Sequence, residues 1–409
     1  MVEKIESLII GGGQAGLSLS YFLTRAGREH IVLEKASQVA DAWRNRRWDL
    51  FMAVTPNWHF RLPGAEYAGT DPEGFMPKAE IVHRFERYER DNHLPVRCST
   101  EVSSVERVEG PARYRTVAGG KVYESQNVVV ATGMFHRVMF PPYAGLIPPD
   151  IVQIAADAYR NSETLPPGAV LVIGSSQSGS QIADELNRAG RKVYLSTSGT
   201  GRVPRRYRGK DAYDWLERIG YFDRTPAMLK SPRERFAPPP NLSGKDGGRD
   251  LNLHQFSRDG IVLLGRLRGF EDGKLEFTPD LKENLARADA FAAAAIRQFD
   301  AYIQKTSLEA PIGEVVVLDD GFRAPVITSL DLAAEGIRTI IWATGYSLDY
   351  SLVKLPVLDA DGFPITDRGV TRYPGLYFLG MNWMNKFKSG FLLGIGESAQ
   401  YVAEALARD

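Results

Sequence analysis

The sequence predicts an α/β fold in which two parallel sheets each carry a glycine-rich turn, and three observations predict it. An apolar run at 8–10 leads through GGGQAG into a helical pattern and then into a second apolar run at 31–33. The same order recurs at 169–195 around GSSQSG. Two further apolar runs, at 128–130 and 339–342, both end in Ala-Thr-Gly. Short apolar runs of this kind are typical of strands buried in parallel sheets.

The first glycine-rich turn has the spacing of a dinucleotide-binding site. Gly11 permits a tight turn, Gly13 lets the backbone approach a pyrophosphate, and Gly16 lets the following helix pack against the strand. Glu34 ends the second apolar run, where an acid accepts hydrogen bonds from a ribose hydroxyl. Strand, turn, helix, strand and acid in this order predict a Rossmann-like domain. The alternative is a glycine-rich turn in another kind of α/β protein.

Composition narrows the class of protein. The 409 residues exceed a usual single domain, which favours two domains or one interrupted domain. The 50 basic and 50 acidic residues cancel, so no nucleic-acid or anionic-membrane surface is expected. The single cysteine, Cys98, excludes an intrachain disulfide and makes a metal site implausible. Without a leader or a membrane-length apolar run, we expect a cytoplasmic protein acting on small molecules.

The stretch after Glu34 is rich in tryptophan and arginine. Flat apolar rings and guanidinium groups together suit the wall of a planar, phosphate-bearing cofactor, although such aromatics also serve as ordinary core. The residues concerned are Trp43, Arg44, Arg46, Arg47, Trp48 and Trp58.

Regular elements are then predicted up to the first Ala-Thr-Gly. The pattern favours a helix over 80–92, followed by short strands at 102–108, 114–117 and 121–123, with Gly119-Gly120 as a hairpin turn. A buried strand, VVV, then delivers Thr132 and Gly133 to the carboxyl edge of the sheet. Ligands of open α/β sheets gather at that edge.

A second nucleotide-binding unit follows. A strand at 169–173 enters the turn containing Gly174, Ser176 and Gly179, and a helix at 181–189 leads to a strand at 193–195. That strand runs into Ser196-Thr197-Ser198 instead of an acid. Hydroxyl and guanidinium groups bind the extra phosphate of NADP, so the sequence predicts NADPH rather than NADH. The candidate guanidinium groups are Arg202, Arg205 and Arg206, which could also form a solvated basic loop.

The middle of the chain is less informative. The long Pro- and Gly-rich stretch at 207–250, with a helical piece at 215–219, is either a lid or a surface excursion. Short strands are predicted at 261–265 and 274–277. A helix at 281–306 has apolar positions at helical spacing, which favours packing within the chain or against a second copy in a homodimer.

The last section is predicted to return to the first domain. The strand at 339–342 leads into ATGY, a strand at 375–380 follows, and a helix at 396–406 closes the chain. The first domain is thus discontinuous, with the second inserted into it. The predicted boundaries are 1–160 and 326–409 for the two parts of the first domain, and 161–325 for the second.

These motifs, in the order GGGQAG, Glu34, TPNW, ATG, GSSQSG, ATGY and GLYFLG, resemble the flavin-containing monooxygenases with two dinucleotide-binding domains (class B), especially small bacterial members with a segment like RVPRRYRGKD at 202–211. The resemblance covers nearly the whole chain. It implies FAD on the first domain and NADPH on the second. The candidate cofactor-binding residues are Gly11, Gly13, Gln14, Ala15, Gly16, Glu34, Lys35, Trp43, Arg44, Val102, Ala131, Thr132, Gly133, Gly174, Ser175, Ser176, Gln177, Ser178, Gly179, Ser196, Arg202, Arg205, Arg206, Ala343, Thr344 and Gly345.

The resemblance also implies a reaction. In the family NADPH reduces FAD, O₂ adds to give a flavin hydroperoxide, and one oxygen atom passes to a small organic substrate, here with N- or S-oxygenation favoured. Asn57, in TPNW, is the candidate catalytic residue beside the flavin, or else a turn residue after Pro56. Aromatic residues in the loops at 48–67, 207–250 and 382–393 favour an apolar or aromatic substrate.

One departure from the family pattern keeps alternatives open. Tyr143, Gly145 and Tyr159 match the linker between the family's domains, but its histidine position reads Ala155. This weakens a Baeyer–Villiger oxygenation and favours an NADPH oxidase or reductase that releases peroxide. A flavin-binding regulatory protein is a third alternative. His136 could substitute only if the chain folds back on itself.

Overall fold

The computed structural model describes residues 2–408. Within that range no helix is long and apolar enough to cross a membrane. The helices of the described residues are α1 Gln14–Arg25, α2 Asp41–Arg44, α3 Lys78–Asp91, α4 Gln177–Arg188, α5 Ala212–Arg218, α6 Leu253–Arg258, α7 Leu281–Thr306, α8 Asp320–Arg323 and α9 Ile395–Leu406. The strands are β1 Val2–Ile10, β2 His30–Leu33, β3 Arg61–Leu62, β4 Ala65–Glu66, β5 Val96–Arg97, β6 Val102–Arg107, β7 Tyr114–Ala118, β8 Lys121–Val130, β9 Arg137–Val138, β10 Val152–Ala155, β11 Ala169–Ile173, β12 Val193–Ser196, β13 Arg206–Tyr207, β14 Lys210–Asp211, β15 Leu242–Ser243, β16 Arg249–Asp250, β17 Val262–Leu264, β18 Leu267–Glu271, β19 Lys274–Phe277, β20 Ser329–Asp331, β21 Ile337–Trp342, β22 Tyr346–Ser347 and β23 Leu376–Phe378.

The first sheet has the order β5-β2-β1-β8-β7-β6, with β23 beside β8. Strand β1 lies parallel to both β2 and β8, and Ile9 is paired with Val32 on one side and Val129 on the other. All three of these side chains are fully buried. Burial of apolar surface is favourable by about 25 cal/mol per Å². Such a three-strand centre is therefore the most stable part of a sheet.

An antiparallel extension completes this sheet. Strand β8 pairs with β7, and β7 pairs with β6. The short strand predicted at 121–123 and the VVV strand are one continuous strand, β8. The alternating burial of its first half, where it pairs with β7, gives way to continuous burial at 127–130, where it pairs with β23.

The second sheet is entirely parallel, in the order β10-β21-β11-β12-β17. Strand β21, which precedes the second Ala-Thr-Gly, pairs with β11, and β10 lies at its other side. The predicted boundary at 161–325 therefore needs correction, because both β10 and β21 lie in the second sheet. The two Ala-Thr-Gly strands are alike in sequence, and only their pairing in three dimensions assigns each to a sheet.

The chain returns to the first sheet later than predicted, with β23 and α9. Strand β23 pairs in parallel with β8, and α9 packs against α1. A discontinuous first domain with the second inserted into it is thus the observed arrangement. Strands β9 and β22 pair antiparallel where the chain enters and leaves the second domain.

The stretch at 207–250, called the insertion below, is folded and contacts both the second domain and the first. It contains the hairpin β13–β14, helix α5 and the pair β15–β16. Trp215 and Leu242 in it are fully buried. Helix α7 has the predicted bounds and buries Leu285 and Phe299, whereas Phe291 is 37% exposed.

Candidate active site

The two glycine-rich turns have the same backbone geometry. Gly11 has φ +111° and Gly174 has φ +105°, a region that favours glycine. A Cβ added to Gly11 would lie 2.6 Å from the carbonyl oxygen of Ala131, and one added to Gly174 would lie 2.5 Å from that of Ala343. Each turn is therefore packed against the Ala-Thr-Gly of its own sheet, and neither position accepts a side chain.

The helices that follow are seated equally tightly. A Cβ at Gly16 would lie 1.9 Å from the Gly11 oxygen, and one at Gly179 would lie 1.8 Å from the Gly174 oxygen. At Gly13, by contrast, a Cβ would meet nothing within 4 Å. Gly13, the position that is open, lies at the start of α1, where free backbone N–H groups favour an anion. These residues fit the pyrophosphate of a dinucleotide.

Glu34 lies where the sequence predicts it, directly after β2. It is 8% exposed. One carboxylate oxygen accepts from the Gly12 N–H at 2.6 Å, and the other accepts from the Ala36 N–H at 2.9 Å. The neighbouring Lys35 is exposed. Each oxygen of Glu34 retains a lone pair, so the carboxylate can also accept from a ribose hydroxyl.

The Ala-Thr-Gly segments lie at the junction of the two domains. The carbonyl of Gly133 accepts from the Tyr350 hydroxyl at 2.8 Å, and the Thr344 hydroxyl donates to the Met139 carbonyl. Gly133 and Gly345 both have positive φ, at +80° and +87°. Val102, predicted to bind the cofactor, begins β6 as a 9% exposed residue paired with Ala118, and its role stays a prediction.

His136 has a structural role at this junction. Its Nδ1 accepts from the Asp349 N–H at 2.8 Å, and its Nε2 lies 3.2 Å from the Thr132 hydroxyl. Burial lowers its pKa. Ala155, at the family's histidine position, is 9% exposed at the end of β10 and paired with Trp342. The structure therefore places a buried methyl group where the family has an imidazole.

The tryptophan- and arginine-rich loop packs at the boundary of the domains. Arg44 forms an ion pair of 2.7 Å with Glu86 of α3, and Arg47 lies over the Trp43 ring at 5.5 Å. Trp48 is 2% exposed and donates to Glu185 of α4 at 2.9 Å. The loop thus provides a contact between the two domains.

Asn57 begins a 3-10 helix, Asn57–His59, and carries a buried oxygen without a partner. Asn57 is 6% exposed, and its Nδ2 donates to the Asp71 carbonyl at 2.8 Å. Its Oδ1, together with Trp58 Nε1, His59 Nε2 and Trp383 Nε1, has no hydrogen-bond partner among residues 2–408. Unpaired buried polar atoms are costly. A bound molecule that pairs with them would remove that cost.

An aromatic cluster surrounds these atoms. Trp58 contacts His59, His59 contacts Phe222 of the insertion, and Phe222 stacks on Phe387, which contacts Trp383. Burial, with nearby Arg61, Arg205 and Lys388, holds the pKa of His59 well below its ordinary value. The imidazole is therefore neutral at physiological pH.

A direct contact joins this cluster to the first glycine turn. Gln14, the first residue of α1, donates from Nε2 to the carbonyl of Gly390. Gly390 lies in the loop after β23 that also carries Trp383 and Phe387. The loop that carries Trp383 and Phe387 therefore contacts the first residue of α1.

In the second domain, the predicted hydroxyl groups divide into two sets. Ser196 donates to the Gly265 carbonyl at 3.0 Å and Thr197 to the Leu264 carbonyl at 2.7 Å, so both are used inside the sheet. Ser176 and Ser198 instead contact Thr200, at 3.0 and 3.3 Å. The hydroxyls of Ser176, Ser198 and Thr200 form one cluster beside the start of α4.

The arginines predicted to hold the extra phosphate are engaged elsewhere. Arg205 is 1% exposed and forms an ion pair of 2.8 Å with buried Asp211. Arg202 is paired with Asp289 of α7 at 2.7 Å. Arg206 is 45% exposed and lies 3.4 Å from the Asp211 carboxylate. The sequence alone does not show these pairings, because Asp289 lies 87 residues from Arg202 and Asp211 is brought back to Arg205 and Arg206 by the hairpin β13–β14.

Several residues of the candidate site, which join the insertion to the second glycine turn, were not predicted from the sequence. Asn241 donates to the Ser175 carbonyl at 2.6 Å, and the Leu242 N–H donates to Gln177 at 3.1 Å. The insertion therefore covers the second glycine turn, while Ser178 stays exposed in the first turn of α4. No local pattern in 207–250 signals these contacts, since they depend on a fold-back of about 65 residues.

Comparisons with known proteins agree with this geometry. Residues 8–216 match the family described as pyridine nucleotide-disulphide oxidoreductase. The uncharacterized oxidoreductase CzcO-like of Geobacillus kaustophilus (strain HTA426) is 30% identical over 98% of both chains. The indole-3-pyruvate monooxygenase YUCCA1 of Oryza sativa subsp. japonica is 24% identical over 73% of this chain and 76% of its own. A flavin-containing monooxygenase from Stenotrophomonas maltophilia has the same fold, with a TM-score of 0.67 over 99% of both chains at 18% identity.

These similarities confirm the predicted α/β fold with two Rossmann-like domains. They also confirm the oxidoreductase prediction and the resemblance to the flavin-containing monooxygenases. The solved structures that share this fold include a monooxygenase in complex with FAD and NADP, the two predicted cofactors. The chain belongs to the pyridine nucleotide-disulphide oxidoreductase family.

Proposed function

We propose that the protein is an NADPH-dependent FAD monooxygenase that inserts one oxygen atom from O₂ into a small organic substrate, with N- or S-oxygenation favoured. The observation that carries this proposal is the pair of equivalent glycine turns, at Gly11–Gly16 and Gly174–Gly179, on two parallel sheets of one chain. Two such turns provide for two dinucleotides. When bound, FAD supplies hydride acceptance and oxygen activation, chemistry that side chains lack.

The residues around each turn have separate tasks. Gly11, Gly13 and Gly16 would hold the pyrophosphate of FAD, and Glu34 would accept from its ribose. Gly174 and Gly179, with the hydroxyl cluster of Ser176, Ser198 and Thr200, would hold NADPH. The insertion covers the second turn through Asn241 and Leu242, which excludes water from the region where a hydride crosses.

Asn57 is the proposed catalytic residue. Its Nδ2 is fixed by the Asp71 carbonyl, so its Oδ1 is held in one direction as a buried acceptor without a partner. The indole N–H groups of the next residue, Trp58, and of Trp383 are also buried without a partner among residues 2–408. One acceptor and two donors are thus available, in an aromatic environment, to orient a planar ring system.

The cysteine content favours oxygenation over reduction of a disulfide, the reaction in the family's name. The sequence contains one cysteine, Cys98. Burial and the nearby carboxylates of Glu34 and Glu89 raise the pKa of its thiol. A thiol with a raised pKa is a poor nucleophile, and a dithiol pair is not present in this sequence.

The substrate is proposed to be apolar or aromatic. The walls contributed by Trp58, Phe222, Trp383 and Phe387 are aromatic and largely buried. The rice relative is an indole-3-pyruvate monooxygenase, an activity that concerns an aromatic molecule, and the fold is that of a flavin-containing monooxygenase. A site of this kind recognises its ligand by area and shape, with few polar contacts.

A second candidate function is an NADPH oxidase that releases peroxide. The observation that favours it is Ala155, a buried methyl group at the position where the family has a histidine. Baeyer–Villiger oxygenation is disfavoured for the same reason. Both candidates use the same cofactors and differ only in the destination of the oxygen.

Measuring whether the oxygen atoms of O₂ enter a product or peroxide separates the two candidate functions. NADPH consumption, O₂ consumption, peroxide release and organic products are measured with amines, sulfides, ketones and aromatic acids, using isotope-labelled O₂. Incorporation of one labelled atom into a product, with little peroxide, supports the monooxygenase. Peroxide equal to the NADPH consumed with every substrate contradicts it and supports the oxidase.

A further inference from the structure

The place where an NADPH-binding domain reads the 2′-phosphate can be located from the topology. In a Rossmann-like unit the residue after the second strand faces the adenosine ribose. Here that strand is β12, and the chain after it continues through Ser198, Gly199 and Thr200. The hydroxyl cluster formed with Ser176 lies at this point. Hydroxyl groups alone carry no charge to offset a phosphate dianion.

The three arginines next along the chain do not supply that charge freely. Arg205 is buried in its pair with Asp211. Both Nε and Nη2 of Arg202 donate to the same oxygen of Asp289, at 3.1 and 2.7 Å. Arg206 lies near two carboxylates and points toward Gly247. Each of these guanidinium groups already faces at least one carboxylate.

Arg287 of α7 is different. It is exposed, and within residues 2–408 its guanidinium has no hydrogen bond and no ion pair. The side chain lies over Gly199, because a Cβ added there would lie 3.1 Å from Nη1 and 3.2 Å from Cδ of Arg287. A guanidinium group with no hydrogen-bond partner among residues 2–408 therefore lies against Gly199, the residue between Ser198 and Thr200 in the chain.

The negative charge of Asp289 is also compensated. Asp289, two residues further along α7, is paired with Arg202, and its second oxygen accepts from His254 Nε2 at 3.0 Å. His254 Nδ1 accepts from the Gly321 N–H at 3.1 Å, which leaves the proton of the neutral ring on Nε2. Arg202 thus neutralises Asp289, and Arg287 remains as the cation available to an anionic ligand.

We propose that Arg287 binds the 2′-phosphate of NADPH, together with the hydroxyls of Ser198 and Thr200, and so determines the preference for NADPH over NADH. Arg202 is a positioning residue that holds Asp289 away from the phosphate. The proposal rests on the proposed use of NADPH. A bidentate guanidinium–phosphate contact is the geometry that arginine forms best.

The test is calorimetric binding of NADP⁺, NAD⁺ and 2′,5′-ADP to the purified protein and to Arg287→Ala. A charge-assisted hydrogen-bonded contact corresponds to roughly tenfold to hundredfold in affinity. We expect that loss for NADP⁺ and 2′,5′-ADP, and unchanged binding of NAD⁺. Arg287→Lys, which keeps the charge but not the fork, is expected to lose part of the affinity.

The matched control is Arg297→Ala. Arg297 is also an exposed arginine of α7, and at 1.5 Å rise per residue it lies roughly 15 Å further along the helix. Arg297→Ala removes the same charge from the same helix and is expected to leave the affinities for NADP⁺, NAD⁺ and 2′,5′-ADP unchanged.

The outcomes separate a failure of the assignment to Arg287 from a failure of the proposed function. If NADP⁺ binds to the unaltered protein but Arg287→Ala binds it equally well, Arg287 is not the phosphate ligand, while the proposed function stands. If Arg297→Ala weakens binding as much as Arg287→Ala, the effect is general charge and the assignment to Arg287 fails. If the unaltered protein binds neither NADP⁺ nor 2′,5′-ADP, the proposed function fails as well.

Discussion

The two glycine turns match each other closely, whereas the charged groups beside them do not. In the first domain the predicted acid, Glu34, lies at the end of β2 and contacts the turn itself through the Gly12 N–H. In the second domain Arg205, one of three arginines predicted to hold the extra phosphate of NADP, is buried beside Asp211, and a guanidinium without an ion pair among residues 2–408 belongs to Arg287 on another helix.

The difference follows from the range of the interactions. A glycine turn and the acid after the next strand are placed by backbone geometry within about 25 residues, so their positions are encoded locally. A long charged side chain goes wherever the fold supplies a partner, and the partner of Arg202 is 87 residues away. Local motifs therefore identify the cofactor, and long-range partners decide which side chains bind it.

The largest expected effect is loss of one cofactor at a time. Gly16→Ala places a Cβ at 1.9 Å from the Gly11 oxygen, and Gly179→Ala places one at 1.8 Å from the Gly174 oxygen. Since both contacts are to backbone, the turn must move. We expect Gly16→Ala to purify without stoichiometric flavin, and Gly179→Ala to keep its flavin but bind NADP⁺ at least about tenfold more weakly.

Flavin absorbance and calorimetry with NADP⁺ check this pair. Gly145→Ala is the control, because a Cβ there meets nothing within 4 Å and both cofactors are expected to bind normally. If Gly179→Ala lost flavin while retaining NADP⁺, the assignment of cofactors to the two sheets would be reversed.

The second effect concerns Arg205. Removing one partner of a buried ion pair costs about 3–5 kcal/mol of folding free energy, so Arg205→Met is expected to lower the urea midpoint strongly. The additional substitution Asp211→Asn removes the unpaired charge but keeps an acceptor for the Tyr213 N–H, and is expected to recover part of the loss. The ratio of NADP⁺ to NAD⁺ affinity is expected to stay the same in both. A selective loss of NADP⁺ would show that Arg205 binds the phosphate.

The third effect lies between the domains, at Glu185. Its carboxylate accepts from Trp48 Nε1 at 2.9 Å and from the Tyr159 hydroxyl at 3.1 Å, and it is paired with Lys245 of the insertion. Glu185→Gln keeps the size of the side chain, but its amide NH₂ group then faces the donors of Trp48 and Tyr159. This disturbs how the second domain sits on the first. We expect reduction of the flavin by NADPH in anaerobic stopped-flow to slow about tenfold.

Asp184→Asn is the matched control for Glu185. Asp184 also lies on α4 and pairs with Arg249 and Arg188, but neither partner belongs to the first domain. Its loss is expected to leave the rate of flavin reduction nearly unchanged. Equal slowing in both variants would mean that α4 and the insertion, rather than the interdomain contact, set the rate.

The smallest effect is a pH dependence of stability at His59. Its folded pKa is well below the ordinary value of 6.5 because of burial. Below that pH the unfolded chain gains a proton that the folded chain does not, so stability falls as the pH falls, by up to about 1.4 kcal/mol per pH unit. We expect His59→Phe to flatten the decline of the urea midpoint between about pH 6.5 and about pH 5.

His83, whose side chain is 58% exposed, provides the control for this titration. His83→Gln is expected to keep the acid sensitivity of the unaltered protein. An unchanged pH dependence in His59→Phe would assign the effect to other buried groups, such as His30, whose pKa burial also lowers.

Most of the fold could be predicted from the sequence, because its strands are short apolar runs and its turns are glycines. The bounds of β11 and α7 are those predicted. The membership of β21 in the second sheet could not be predicted, because the Ala-Thr-Gly segments after 128–130 and after 339–342 look alike. The candidate site followed the same rule: Glu34 is local to its turn, whereas Arg287, Glu185 and Asn241 join elements that are far apart in the chain.

The most direct test of the two-cofactor account is anaerobic mixing of the purified, FAD-loaded protein with NADPH or NADH while the flavin absorbance is recorded. The account predicts a yellow protein with stoichiometric FAD whose colour is bleached by NADPH much faster than by NADH. A protein that takes up no FAD, or whose bound flavin is not reduced by NADPH, would contradict it.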